Sequence, residues 1–189
     1  MKLESTYRFF KVYFSYGTSR NRIYGRAASE AMKVIKDTLN QKTLNPILTY
    51  LHKPFPLTIT KGMLLRLVTL AMSEYQDPFN EIQYFNITAD IDKSLLTTNR
   101  RGIIISLIGG YDKKNNKLIF PTFGPPSNMV EEVRVIKGLL KEFVTADYVP
   151  TNIRTVAYWD LSKGKSTEVD FQPLQPVDRQ SLIDAANRI

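Results

Sequence analysis

The sequence predicts an α+β fold, with an antiparallel sheet, helices packed on one face of it, and a single domain. Three observations carry that expectation. Several segments alternate apolar and polar residues, as half-buried strands do; others repeat apolar residues at helical spacing; and the later strand-like segments are joined by short polar turns, which favour antiparallel neighbours. The 189 residues are 43% hydrophobic, enough for one core of ordinary size, and no repeat or low-complexity linker divides them. The expected layout is an N-terminal segment at 1–6, a globular domain at 7–171 and a C-terminal segment at 172–189.

Residues 7–16 put Phe10, Val12, Phe14 and Tyr16 on one face and Phe9, Lys11, Tyr13 and Ser15 on the other, the pattern of a strand that stops at Gly17. A polar loop at 18–22 leads to Ala28, Met32, Ile35 and Leu39 at helical spacing, with Lys33 and Lys36 on the opposite side. Asn45 as cap and Pro46 as first helical residue signal a short helix whose apolar face is Ile47, Leu48 and Leu51, with Pro54 as its stop. Residues 62–72 are apolar nearly all round. Periodicity does not separate a buried helix from a buried strand there; helix is favoured, with Thr60 as its cap.

Residues 82–91 alternate and read as a strand, and the β-branched run 103–108 reads as another. Gly109-Gly110 reads as a turn. Tyr111 to Asn116 is a turn-rich connector into Leu118-Ile119-Phe120, so a hairpin is expected with Lys113, Lys114 and Lys117 about its tip. Asn128 and Glu131 have the spacing of a capping box, opening a helix to about Thr145 with Val130, Val133, Ile136, Leu140, Phe143 and Val144 as its stripe. Ile153, Thr155, Ala157 and Trp159 alternate, Lys163-Gly164-Lys165 turns the chain, and Thr167, Val169 and Phe171 alternate after it, giving a terminal hairpin. Pro173 and Pro176 make the tail irregular before a short last helix at 181–188.

Charge is the strongest functional signal. Lys and Arg number 26 against 18 Asp and Glu, a net charge of +8, and such an excess concentrates polyanions at a protein surface. The chain has no cysteine, which removes disulfides, Cys-rich zinc sites and thiol nucleophiles and fits a reducing compartment. The N-terminal residues mix Lys2, Glu4, Arg8 and Lys11 with aromatics, so no export signal is expected. The most apolar run contains Arg66 and is shorter than the about 20 residues that span a bilayer.

No catalytic, cofactor-binding or metal-binding residue is expected. His52 is the lone imidazole, and it falls at a helix end with no serine or acid at motif spacing. Asp90 and Asp92 could in principle hold a divalent ion, but they sit at a strand end, where solvated carboxylates are ordinary. The basic clusters are Arg20, Arg22 and Arg26 leading to Lys33 and Lys36, then Arg100-Arg101, then Lys113, Lys114 and Lys117. Singly, each is an ordinary solvated surface; together they suggest an extended face suited to pairing with phosphate.

The order of these elements resembles the globular domain of rhabdovirus matrix proteins. The aromatic strand, the basic loop with Arg20-Asn21-Arg22, the Ala-containing amphipathic helix, the Pro-punctuated second segment, the hairpin at 112–117, the helix at 128–145 and the closing hairpin at 156–171 follow that family's order. The likeness covers residues 7–171 and is one of pattern, since the family has no catalytic motif to match. Its animal members carry a long basic tail with a Pro-Pro-x-Tyr motif. Here the first strand comes almost at once and Pro125-Pro126 is followed by Ser127-Asn128, so the plant-infecting type fits better. The resemblance implies a virion structural protein beneath the envelope that self-associates, condenses the viral nucleocapsid and bridges it to an anionic membrane surface. The viral glycoprotein is a further implied partner, and host cytoplasm, membranes and nucleus are further implied locations. A nucleocapsid-associated or RNA-binding protein without membrane function is the alternative; an enzyme acting on a phosphorylated substrate through Asp90 and Asp92 is a third reading. Self-association is expected from the chain ends, with Leu174, Val177, Leu182 and Ile183 docking on a neighbour.

Overall fold

The computed structural model describes residues 2–5, 22–54, 56–97, 101–123, 128–145 and 149–189, with 2–5 and 22–25 described by backbone course alone. In chain order these form β1 (Lys2–Ser5), α1 (Arg22–Gln41), α2 (Asn45–Leu51), α3 (Thr58–Glu74), α4 (Pro78–Glu81), β2 (Ile82–Ile91), a 3-10 turn (Lys93–Leu95), β3 (Ile103–Asp112), β4 (Lys117–Thr122), α5 (Met129–Glu142), β5 (Thr155–Asp160), β6 (Lys165–Asp170) and α6 (Arg179–Asn187). The α+β class is the one expected, in one compact domain. The strand expected at 7–16 lies outside the described residues, as do Arg20 and Arg100.

β3 is the organising strand. β2 lines one of its edges antiparallel, from Ile82 opposite Asp112 to Ile91 opposite Ile103. Its other edge is shared, by β1 running parallel along Ile103 to Ser106 and by β4 running antiparallel along Gly110 to Asp112. A strand has two edges, so β1 and β4 lie end to end on the same one. β5 then runs parallel to β4, and β6 antiparallel to β5. The sheet is therefore mixed rather than antiparallel. The parallel β4–β5 pair needs a crossover of a dozen or so residues, and α5 is that crossover.

Helices cover both faces, not one. Ile87, Ala89 and Ile91, with Ile103, Ile105, Leu107, Leu118, Phe120, Val156 and Tyr158, pack under α5 and α6. Residues of opposite parity, Ile82, Ile119, Ala157 and Trp159, pack under α1, α2 and α3 through Ile35, Ile47, Met63, Leu64 and Leu67. This is why Leu118-Ile119-Phe120 is a continuous apolar run: a strand with cover on both faces has no solvent side to mark with polar residues.

Gly109 and Gly110 lie inside β3 rather than in a turn. A Cβ at Gly109 would collide with the Ile119 carbonyl oxygen, and one at Gly110 with Ile82 Cγ2, so glycine is what lets β3 pass between its neighbours. At α2 the cap position falls on Leu44, not Asn45, and the buried side chains are Ile47 and Tyr50 while Leu48 is exposed. Thr60 is inside α3, where its buried Oγ1 donates to the Ala27 carbonyl at 3.2 Å and ties α3 to α1. The cap expected at Asn128 is present, its side chain accepting from the Glu131 N–H at 3.4 Å.

The C-terminal segment belongs to the core. Arg134 Nε donates to the Gln175 carbonyl at 2.9 Å, Val177 N to the Arg134 carbonyl at 3.2 Å, and Lys137 Nζ to the Phe171 carbonyl at 3.0 Å, so α5 holds the Pro-containing tail along its length. Gly138 supplies the clearance, since a Cβ there would stand 2.9 Å from Val177 Cγ2. Asp178 then caps α6 by accepting from Ser181 N at 2.9 Å. Val177, Leu182 and Ile183 are buried in this chain's own core, so they are not available to dock on a neighbour, while Leu174 is partly buried against that core. Residues 2–5, likewise expected outside the globular part, form β1 in the sheet.

Candidate polyanion-binding surface

Helical spacing brings Arg26, Lys33 and Lys36 to the solvent side of α1, because Ala27, Ala28, Ala31 and Ile35 are turned inward. Arg26 is already engaged, with Nε 3.2 Å from Glu30 Oε1. Glu30 in turn accepts from the Tyr50 hydroxyl at 2.6 Å, and that bond is the main reason its carboxyl is held below the usual range. Lys33 and Lys36 are exposed, and among the described residues neither has an ion-pair partner. Arg22 opens α1, and its side chain is outside the described part.

The second basic cluster is the β3–β4 turn, where Lys113 and Lys114 are exposed. Their backbone is fixed from beneath by Asp112, which is 1% exposed. Its carboxylate accepts from Asn115 N at 2.9 Å, from Asn115 Nδ2 at 2.7 Å and from the Tyr75 hydroxyl at 2.9 Å. Burial pushes the Asp112 carboxyl up, but these bonds and the Lys117 charge outweigh it and leave it below the ordinary value. Tyr75 is pushed up strongly, first by burial and then by its bond to that carboxylate.

Lys117 does not join this surface. Its Nζ lies 2.7 Å from Glu168 and 3.4 Å from Glu74, with a side chain 12% exposed, and so links β4 to β6 and to the end of α3. Burial disfavours its charge, yet the two carboxylates more than compensate and raise it above the ordinary lysine value. An ammonium already paired twice in a partly dry setting has little left for an external phosphate. Arg101 is exposed at the start of β3.

The two lysine pairs belong to different elements, one to the middle of α1 and the other to the β3–β4 turn. α3 runs from Arg66, whose Nη1 donates to the Leu161 carbonyl beside the β5–β6 turn, to Tyr75, which meets Asp112 at the β3–β4 turn. α1 follows the same course. Ala27 meets Thr60 near the start of both helices, while Asp37 further along adds to the burial that raises the Tyr84 hydroxyl on β2, beside Gly110. No contact among the described residues joins the α1 lysines to the turn lysines directly.

The same helical layer carries a feature that charge counting missed. Leu48 (47%), Ile59 (41%), Leu65 (53%) and Met72 (58%) are large apolar side chains left exposed on α2 and α3. The sequence did carry the signal, since an all-round apolar helix that covers only one sheet face must show its other side.

The remaining candidates have structural roles. His52 caps the end of α2, its Nδ1 2.7 Å from the Leu48 carbonyl oxygen. Asp92 accepts from Ser94 N at 2.8 Å to open the 3-10 turn, which is the main reason its carboxyl is lowered, and Asp90 is exposed at the end of β2. Among the described residues no group of three potential metal ligands comes together, and no helix is long and apolar enough to cross a membrane. Comparison of the chain with protein-family models, with curated proteins and with solved structures found no match.

Proposed function

We propose that this protein is a non-enzymatic structural protein that holds anionic partners against its helical layer, acting as a viral matrix protein does between nucleocapsid and membrane. The observation that carries the reading is the co-occurrence, on one layer, of exposed lysines with no ion-pair partner among the described residues (Lys33, Lys36) and exposed apolar side chains (Leu48, Leu65, Met72) in a chain of net charge +8. Cations draw such a surface to phosphate headgroups, and the apolar groups then enter the headgroup boundary. Lys113 and Lys114 extend the field at the end of the layer. The pattern likeness to rhabdovirus matrix proteins supplies the biological setting: self-association, the viral nucleocapsid and the inner leaflet of the envelope.

An RNA- or nucleocapsid-binding protein without membrane function would need the same lysines but would have no use for Leu65 and Met72 in solvent. Flotation with vesicles separates the two. The matrix reading expects the protein to rise with vesicles containing anionic lipid, to stay down with neutral ones, and to lose binding as salt increases. Failure to float with anionic vesicles, together with a salt-sensitive shift of single-stranded RNA in a gel, would replace it with the RNA-only reading.

A further inference from the structure

Among the described strands β1, β2 and β6 each have a single neighbour, and the two longer ones, β2 and β6, are finished differently. β6 has six residues and exposes Lys165, Glu168 and Asp170, charges of the kind that keep a sheet edge from pairing. β2 has ten, and its exposed side chains, Gln83, Asn86 and Thr88, are uncharged until Asp90.

One hydrogen bond fixes which backbone groups of β2 face outward. Asp90 N donates at 2.9 Å to the carbonyl of Phe143, outside the sheet. In an unbulged antiparallel ladder, residues alternate between turning both backbone groups to the partner strand and turning both away. The β2–β3 register is continuous over ten residues, so Tyr84, Asn86 and Thr88 also direct N–H and C=O away from β3. Among the described residues no strand pairs with that edge. Residues 142–145 stand beside its far end and leave a groove of about 640 Å³ along Asn86 to Asp90.

We propose that this edge pairs with the same edge of a second copy, β2 antiparallel to β2 about a twofold axis, joining two sheets into one. A row of outward N–H and C=O groups is recognised by another extended backbone. The free positions, 84, 86 and 88, are symmetric about Asn86. The register that uses all of them sets Asn86 opposite Asn86 of the second copy and Tyr84 opposite Thr88, so the surface is complementary to itself. Electrostatics select the same place. Two copies at +8 repel, and their approach costs least where the exposed side chains are neutral or acidic, as Asn86, Thr88, Asp90 and Glu142 are. Such a contact closes as a dimer and does not propagate. It needs neither lipid nor RNA, so it stands or falls separately from the function proposed above.

Sedimentation equilibrium of the full chain, free of lipid and nucleic acid, tests it. The expected result is a monomer–dimer equilibrium that stops at the dimer. Thr88→Pro removes an outward N–H without taking a bond from the β2–β3 ladder, and Thr88→Lys places a charge on the edge. Each should raise the dimer dissociation constant at least about tenfold, with Thr88→Lys leaving the circular dichroism and unfolding midpoint of the monomer unchanged. Amide exchange at Asn86 and Thr88 should slow as concentration rises. A parent that stays monomeric at every concentration overturns the proposal, as does a dimer indifferent to Thr88→Lys. If Thr88→Pro fails to fold, Thr88→Lys and the exchange measurement decide.

Discussion

The two faces of the sheet are covered by helices used in opposite ways. On the α5–α6 side every large apolar group but Val130, which is 46% exposed near the start of α5, is at least partly enclosed: Leu139 and Leu182 are fully buried, and the chain's last segment is held there by backbone and lysine hydrogen bonds. On the α1–α3 side the inner positions are equally dry, with Met63 and Leu64 at 1% and 0% exposure, but Leu48, Leu65 and Met72 are left in solvent on the layer that also carries the exposed Lys33 and Lys36. A core thus needs one apolar side per helix, and the second apolar side of α3 is surplus to folding. Surplus of that kind is where binding is expected, and substitutions on the two sides should separate stability from binding.

The largest effect should come from the closed side. Leu182→Ala opens a cavity under α6 and is expected to cost about 2–5 kcal/mol in denaturant unfolding. Removal of residues 172–189 should likewise unfold the protein rather than leave a stable monomer. Gly109→Ala comes next. Its methyl group meets the Ile119 carbonyl, a backbone atom that cannot step aside, so a loss of about 1–3 kcal/mol is expected by the same measurement.

Acid should act at the junction between α3 and the β3–β4 turn. The Asp112 carboxyl is lowered in the folded protein from 3.8, so its contribution is fully present above that value and is lost as pH falls through the lower folded value. Asp112→Asn should therefore be less stable than the parent near neutrality, and the gap should narrow in unfolding curves as pH falls below 3.8. The smallest stability effect belongs to the open side. Leu65→Ser with Met72→Ser should shift stability by no more than about 0.5 kcal/mol, while weakening attachment to anionic vesicles in flotation.

Much of this was legible in the chain. Alternation placed β2 at Ile82–Ile91 without error, and the closing hairpin turns at Gly164, whose φ of +68° is the left-handed conformation that glycine accepts. Other features depend on partners that periodicity does not name. The pattern Leu118-Ile119-Phe120 marks a strand but not its neighbours, so the parallel pairing with β5 became visible only with α5 in place. Gly109-Gly110 looked like a turn because the close passage of Ile82 and Ile119 is a tertiary fact. Pro173 and Pro176 suggested a loose tail, and the contacts that bury Val177 come from Arg134 and Gly138, some forty residues earlier. At the candidate surface, positions of the lysines on α1 followed from helical spacing. The withdrawal of Lys117 did not, since Glu74 and Glu168 reach it from distant elements.

The central claim, that the open helical layer holds anionic partners through its free lysines, is tested most directly by flotation of the charge-reversed variant Lys33→Glu/Lys36→Glu/Lys113→Glu/Lys114→Glu beside the parent. Each lysine near an anionic surface is worth about 1 kcal/mol, so reversing all of them should abolish recovery with anionic vesicles at low salt while the unfolding midpoint stays close to that of the parent. A folded variant that still floats as the parent does would contradict the account.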